Sequence, residues 1–341
     1  MKALSEGKEM VKLTDIAKKA EVSPSTVSRV LNGNTVVSEE KRRAVQYWVA
    51  KLGYKPNNVA QSLAGRRSFL LGLVMTDVSN PFFSEIAKSV LHHAYLQGYS
   101  VVLCNTDTNQ DIERQQVSSL LQRQIDGVII VPTSPDAPAL KSLLSNHIPS
   151  VVITQKHDQF DSVSVDHFLG GEQVASHLIS SANTHLAYIG SPLDEKFLGF
   201  KHRALQMGIA ENCIKCIDFT YTHFNRERID EQMKEIFQSS VIEGVQGIFA
   251  LNDLVAIAAV NAAVEIGLRV PEDISIVGFD NTYLSMMHRP SISSVAQPIE
   301  EFGSRTIEIL TRKIMALGDK TVEMVRLQSR IIVRRSSSRE G

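Results

Sequence analysis

Apolar side chains between residues 10 and 55 recur in short bursts at three- and four-residue intervals. The bursts are Ile16, Ala17 and Ala20, then Val27, Val30 and Leu31, then Val45, Trp48, Val49 and Leu52. That spacing puts each set on one face of a helix and predicts three short amphipathic helices. Thr14 is expected to cap the first. Ser23 is expected to cap the second, with Pro24 in its tolerated first position and Gly33 stopping it. The third begins after Ser38 and ends at Gly53. The stretch "EVSPS" breaks the first pattern and joins two helices by a tight turn, which makes a helix-turn-helix. Next comes a helix of about two turns, residues 57–64, below the ~12 residues at which an isolated helix holds in water. Its Leu63 has little apolar company in the sequence.

From Phe69 the rhythm changes. Apolar runs such as "FLLGLVMTD", "SVVLCNTD", "DGVIIVP" and "PSVVITQ" alternate with helical patterns such as "NPFFSEIAKSVLHHAYLQGY" and "DIERQQVSSLLQRQ". The alternation restarts at "GGEQVASHLISS" and runs through "HLAYIGSP", "GVQGIFALND" and "ISIVGFD". Strands alternating with helices of about a dozen residues predict βαβ units and a parallel sheet, here twice over. The expected fold class is α/β, with two doubly wound lobes behind a small helical head. Ligands of such sheets sit off the carboxyl ends of the strands. Those ends carry Thr76, Asp77, Thr106, Asp107, Thr133, Thr154, Asp166, Asn252, Asp253 and Asp280.

Charge separates head from body. Residues 1–67 hold 13 Lys and Arg against 6 Asp and Glu, a net of +7, leaving −8 for the rest of a chain whose total is −1. A basic head on an acidic body points to a polyanion that meets only the head. With 341 residues and a 43% hydrophobic share the chain can fill two or three domains. No apolar run approaches the ~18 residues of a membrane span, and the first residues lack a signal-peptide core. Three cysteines are too few for a disulfide framework, so a cytoplasmic location is expected. No P-loop, G-x-S-x-G or H-E-x-x-H motif is present, and the expectation is a protein that is not an enzyme. Cys213 and Cys216 have metal-like spacing but no second pair, and adjacent His92 and His93 point apart on a helix. No metal or other cofactor is expected.

In a helix-turn-helix the second helix enters the major groove with its N-terminal side chains at the base edges. Pro24, Ser25 and Arg29 would then read bases, and Ser23, Thr26, Ser28 and Asn32 would contact phosphates. A small bundle that binds protein is the plainer alternative. "LTDIAKKAEVSPSTVSRVLNG" followed by "GYKPNNVAQSLAGRRS" resembles the start of a lactose-repressor-family transcription factor, without a gap through Ser68. "VSVDHFLGG", "FALNDLVAIAAV", "EIGLRVPEDISIVGFDN", "PSISSVAQP" and "RIIVRRSS" extend the likeness over the body.

The resemblance implies a periplasmic-binding-protein-like body whose lobes are joined by crossovers near Asp166, Gln297 and "VRLQ". It divides the chain into an arm (1–9), a DNA-binding domain (10–55), a hinge helix (56–66) and an effector-binding, dimerising domain (67–341). The N-lobe would hold about 67–166 and 298–326, the C-lobe about 167–297 and 327–341. Leu63 would be the hinge leucine, a wedge in the minor groove, and Tyr54 and Asn57 would contact phosphates. Asp77, Phe82, Phe83, Lys196, Phe219, Asn252 and Asp280 would hold a small effector between the lobes.

Three departures from the family pattern stand out. Lys196 replaces an Arg, His167 an Asn and Thr154 an Asp. Keeping a cation while losing a carboxylate tilts the expected effector from a plain sugar toward a sugar acid or sugar phosphate. The function implied is repression of a palindromic operator by a homodimer under control of a metabolite. The ending "RRSSSREG" carries no leucine heptad for a tetramer. Two other readings are a catabolite-control-type regulator with a phosphoprotein corepressor, and a sugar-binding protein that does not bind DNA.

Overall fold

A computed structural model of the chain describes residues 11–31, 36–54, 67–219, 226–316, 318–319 and 321–338. The chain divides into two compact units, Met1–Ser68 and Phe69–Gly341.

The first unit contains helices α1 (Leu13–Lys19), α2 (Pro24–Leu31) and α3 (Glu39–Leu52). Ile16, Ala17, Val27, Val30 and Val45 are buried at its centre, with Trp48, Val49, Leu52 and Tyr54 packed around them. Thr14 does not cap α1. Lys12 occupies that position, and its backbone N–H donates to Asp15 Oδ2 at 2.8 Å. A carboxylate three residues into the helix reaches back and supplies the acceptor, so the first turn begins before Thr14. Ser23 caps α2, its Oγ accepting the Thr26 N–H at 3.2 Å. Gly53 closes α3 at φ +61, a left-handed conformation that glycine adopts without a Cβ clash. Asn32, Gly33 and the expected hinge helix, with Asn57 and Leu63, lie outside the described residues.

The second unit holds two six-stranded sheets. In the first lobe β1 (Leu70–Met75), β2 (Ser100–Asn105), β3 (Gly127–Ile130), β4 (Ser150–Ile153), β5 (Asp161–Val165) and β11 (Met324–Leu327) lie in the order β11-β5-β4-β3-β1-β2. In the second, β6 (Leu186–Ile189), β7 (Ile214–Ile217), β8 (Gly247–Ala250), β9 (Ser275–Asp280), β10 (Ser293–Ala296) and β12 (Arg330–Ile332) lie in the order β12-β10-β9-β8-β6-β7. Both sheets thus repeat one winding pattern. Every recorded strand pairing is parallel except that of β12 with β10. In each lobe the order reverses beside the first strand, β1 or β6, which creates the crevice where ligands of doubly wound sheets bind.

The connecting helices are α4 (Pro81–Leu96), α5 (Gln110–Gln122) and α6 (Pro138–Ser145) in the first lobe. The second lobe has α7 (His167–Ser180), α8 (Glu195–Gln206), α9 (Arg226–Gln238), α10 (Asp253–Glu265) and the short α11 (Tyr283–Met287). The chain passes between lobes after β5, after β10 and between β11 and β12. Helix α12 (Ile299–Met315) follows the second passage and returns to the first lobe. Its Phe302, Ile307 and Leu310 pack with Leu71, Leu73 and Ile129 of that lobe's sheet. In the second lobe α7 and α8 approach very closely. A Cβ on Gly171 would lie 2.0 Å from the Lys196 carbonyl oxygen, and one on Gly199 2.0 Å from that of Phe168.

Candidate functional site

Two surfaces carry the residues singled out by the sequence. On α2, Ser23, Pro24, Ser25 and Arg29 are exposed, and Thr26 and Ser28 are half-buried. The inward residues Val27 and Val30 fix this orientation by filling the small core. Ser23 Oγ lies 2.8 Å from Ser25 Oγ and 2.9 Å from Thr26 Oγ1, so three hydroxyls cluster at the start of the helix. Tyr54 is half-buried with its ring on the helical core.

The second surface is a cavity of ≈ 410 Å³ between the lobes. Asp77, Phe82, Phe83, Lys196, Phe219, Asn252 and Asp280 all line it, together with Thr76, Asn80, Thr108, Thr154, His167, Ser191, Asp194, Leu251 and Gln297. Each comes from the carboxyl end of a strand, the start of the following helix, or a crossover. Helix starts place several of them. Asn80 caps α4, accepting the Phe82 N–H at 3.1 Å, which turns Phe82 and Phe83 into the cleft. Asp194 caps α8 through the Lys196 N–H at 3.0 Å, and Asn252 caps α10 through the Val255 N–H at 3.0 Å. Asp77 accepts the Ser79 hydroxyl at 2.6 Å and the Ser79 N–H at 2.9 Å. Phe82 belongs to the first lobe's core as well as to the cavity wall.

The charges are arranged about Lys196. Its ammonium donates to the Leu251 carbonyl oxygen at 2.8 Å and stands 4.3 Å from the centroid of the Phe279 ring. Burial works against the charge on Asp194. The Lys196 ammonium and the Tyr188 hydroxyl, which donates at 2.7 Å, outweigh it and hold the carboxyl below the usual range. Burial, then the neighbouring Lys196, push His167 down to about 4, so its ring is neutral. Burial pushes the Asp280 carboxyl up to about 8, against the pull of Lys196. Gln297 Nε2 donates to Asp280 Oδ1 at 2.7 Å, whereas the buried Gln297 Oε1 has no hydrogen-bond donor among the described residues. Asp280 at φ 100 and Thr154 at φ 71 hold strained backbone at the cavity.

Several strand-end residues expected at the cleft stand elsewhere. Asp253 is 1% exposed and lies behind the wall, accepting the Ser294 hydroxyl at 2.5 Å and the Thr282 N–H at 2.6 Å. Asp166 caps α7 through the Leu169 N–H at 2.9 Å and pairs with Arg326 at 2.7 Å. The Thr133 N–H donates to Glu113 at 2.7 Å. Thr106 and Asp107 do not line the cavity either. The expectation missed Asn80, Ser191 and Asp194. "NPFF" and "DEKF", each an Asn or Asp opening a helical pattern, are the signals that could have found the two caps. Among the described residues no group of three or more metal-ligating side chains is gathered, and no helix is long and apolar enough to cross a membrane.

Comparison with known proteins finds matches for both parts of the chain. Residues 12–57 match the bacterial regulatory proteins of the lacI family, and residues 175–337 match the periplasmic binding protein-like domain. The chain is similar to the HTH-type transcriptional regulator DegA of Bacillus subtilis, at 34% identity over 95% of this chain and 97% of that one. It is similar to catabolite control protein A of Priestia megaterium, at 31% identity over 96% of this chain and 99% of the other. The crystal structure of the lac repressor dimer bound to operator and the anti-inducer ONPF superposes with a TM-score of 0.84. It is 25% identical and covers 96% of this chain and 99% of that one. With its helix-turn-helix head and two-lobed body, the chain belongs to the lacI family of bacterial regulatory proteins and is a transcriptional regulator, not an enzyme.

Proposed function

We propose that this protein is a cytoplasmic repressor that binds a palindromic operator as a homodimer and is controlled by an uncharged sugar between its lobes. Pro24, Ser25 and Arg29 read base edges, while Ser23, Thr26, Ser28 and Tyr54 hold phosphates. Ser23 does this by donating its O–H, while its oxygen accepts the Thr26 N–H.

The make-up of the cavity carries the sugar reading. Phe82, Phe83 and Phe219 give ring faces for C–H surfaces, and Asp77, Asn252, Asp280 and Gln297 give directional partners for hydroxyls. The buried Gln297 Oε1 is an acceptor that a ligand hydroxyl would satisfy. Charge argues against the sugar acid or phosphate toward which the sequence tilted. Asp280 keeps its proton, yet Asp77 and Asp194 still face a single ammonium, which is already bonded to Leu251 and placed beside Asp194.

Thermal unfolding against neutral sugars, sugar acids and phosphosugars, paired with operator binding, tests the reading. A neutral sugar at 100 times its dissociation constant should add about 2.7 kcal/mol of stability and change operator affinity. Stabilisation by acids or phosphosugars alone would overturn it.

A further inference from the structure

A second chamber lies beside the cavity and shares wall residues with it. Thr154, His167 and Asp194 line both, and the second chamber measures ≈ 500 Å³. We infer that the interlobe cleft holds two adjoining subsites and that its effector is an uncharged carbohydrate of two linked rings, one ring in each chamber. This rests on the sugar reading above and deepens it.

The second chamber has the same division of labour as the first. Val131, Pro132 and Val165 form an apolar wall, and Gln155, Lys156 and Glu195 supply polar groups. An apolar wall with a few convergent polar groups suits a sugar ring, which has C–H faces and a rim of hydroxyls. The strained turn at Thr154 shapes the chamber. β4 ends at Ile153, and Thr154 enters the left-handed region at φ 71, which a β-branched residue adopts only under constraint. Gln155 and Lys156 follow the turn and line the second chamber, while Thr154 lines both. Strain kept at such a point is a mark of a shaped binding surface.

Charge in the second chamber is balanced. Lys156 lines it together with Glu195 and Asp194, and the Glu195 carboxylate lies 3.7 Å from Arg326. Among the described residues that line it, cations do not outnumber carboxylates, which leaves none in excess for a phosphate or carboxylate on the second ring.

Calorimetry on the full-length protein tests this, using glucose, galactose and fructose beside cellobiose, maltose, lactose, sucrose and trehalose. At least one disaccharide should bind ten-fold or more tightly than either of its component sugars. Gln155→Trp, which fills the second chamber from a half-buried loop position, should bring that ratio close to one. Lys156→Trp should do the same from the next position, and operator binding reports that each variant is folded. A monosaccharide that binds as tightly as every disaccharide would overturn the two-ring effector and leave the sugar reading standing. So would a disaccharide preference that survives both tryptophans. Binding by none of these sugars, single-ring or double, would count against the sugar reading itself and take this inference with it.

Discussion

Asp280 sits at the end of β9 with its carboxyl group buried among Lys196, Gln297, Asp253 and Glu85. In an unfolded chain an aspartate titrates near ~3.9, whereas burial raises Asp280 to about 8. The folded protein therefore holds a proton that the unfolded chain releases between those values. Stability from this group is complete below the lower value and lost as pH rises through the upper one. Asp253, raised by burial to about 7, acts in the same direction. His167, lowered to about 4 in the fold, opposes the carboxyls while the unfolded chain's imidazole titrates near ~6.5, and it is neutral in both states only above pH ~7.5. Urea unfolding of the ligand-free protein between pH 7.5 and 8.5 should show stability falling as pH rises. The slope should be no more than about 1.4 kcal/mol per unit for each proton. Asp280→Asn should flatten it, and an unchanged slope would contradict the assignment. Arg29 belongs to the same scale. Its side chain is exposed and takes no part in the core of the helical unit. Arg29→Ala should leave unfolding unchanged while weakening operator binding by about 1–3 kcal/mol, read by titration at fixed salt.

Helix pairs decide where the charged residues of the cavity stand. His167 opens α7 and Lys196 lies in the first turn of α8, and both reach the cavity because these helices touch backbone to backbone. Gly171 and Gly199 make that contact possible. A methyl at Gly199 meets backbone, which has no rotamer to give way, so Gly199→Ala should cost about 3 kcal/mol or more in denaturant unfolding. The same change at Gly53, where nothing lies within 4 Å, carries only the strain of a left-handed backbone. The helices themselves were legible in the sequence. "GGEQVASHLISS" and "LGFKHRALQMGI" show their apolar periods. The closeness of the pair was not, because a glycine in a helical pattern does not name the neighbour that needs the space.

At the scale of the whole molecule, the exposed apolar side chains suggest where a second copy docks. Tyr95 is 76% exposed and Leu96 61% at the end of α4, and Met287 is 70% exposed at the end of α11. Large side chains left in water on two elements of the body fit a self-complementary dimer face. Tyr95→Asp combined with Leu96→Glu should shift the protein toward monomer in sedimentation velocity. It should also weaken binding to a full palindrome far more than to a half-site. A hydrogen bond from the Tyr283 N–H to Glu85 Oε1 at 3.3 Å also ties the lobes together. Glu85→Ala removes this tie while leaving the cavity wall intact. It should change effector affinity and operator release together, measured by calorimetry and by operator titration.

Sequence alone determined what periodicity and local chemistry can encode. The three helices of the head follow from apolar spacing, and the Ser23 cap and the Gly53 stop from residues whose backbone preferences act within one turn. The two windings of the body follow from alternating strands and helices. Asp77, Asn252 and Asp280 were also marked by their place at strand ends, whereas Phe82, Phe83, Lys196 and Phe219 rested on the family likeness, because each lobe supplies only half of the wall. Tertiary structure decided the rest. Asp253 and Asn252 are neighbours in sequence, yet Asn252 lines the cavity while Asp253 turns behind it to hold Thr282 and Ser294. Whether Lys196 attracts an anion depends on Asp194, Asp280 and Leu251, which arrive from three different loops. Local spacing sets the conformation of each element, but charge balance and burial are sums over groups distant in sequence, and only the folded chain brings those groups together.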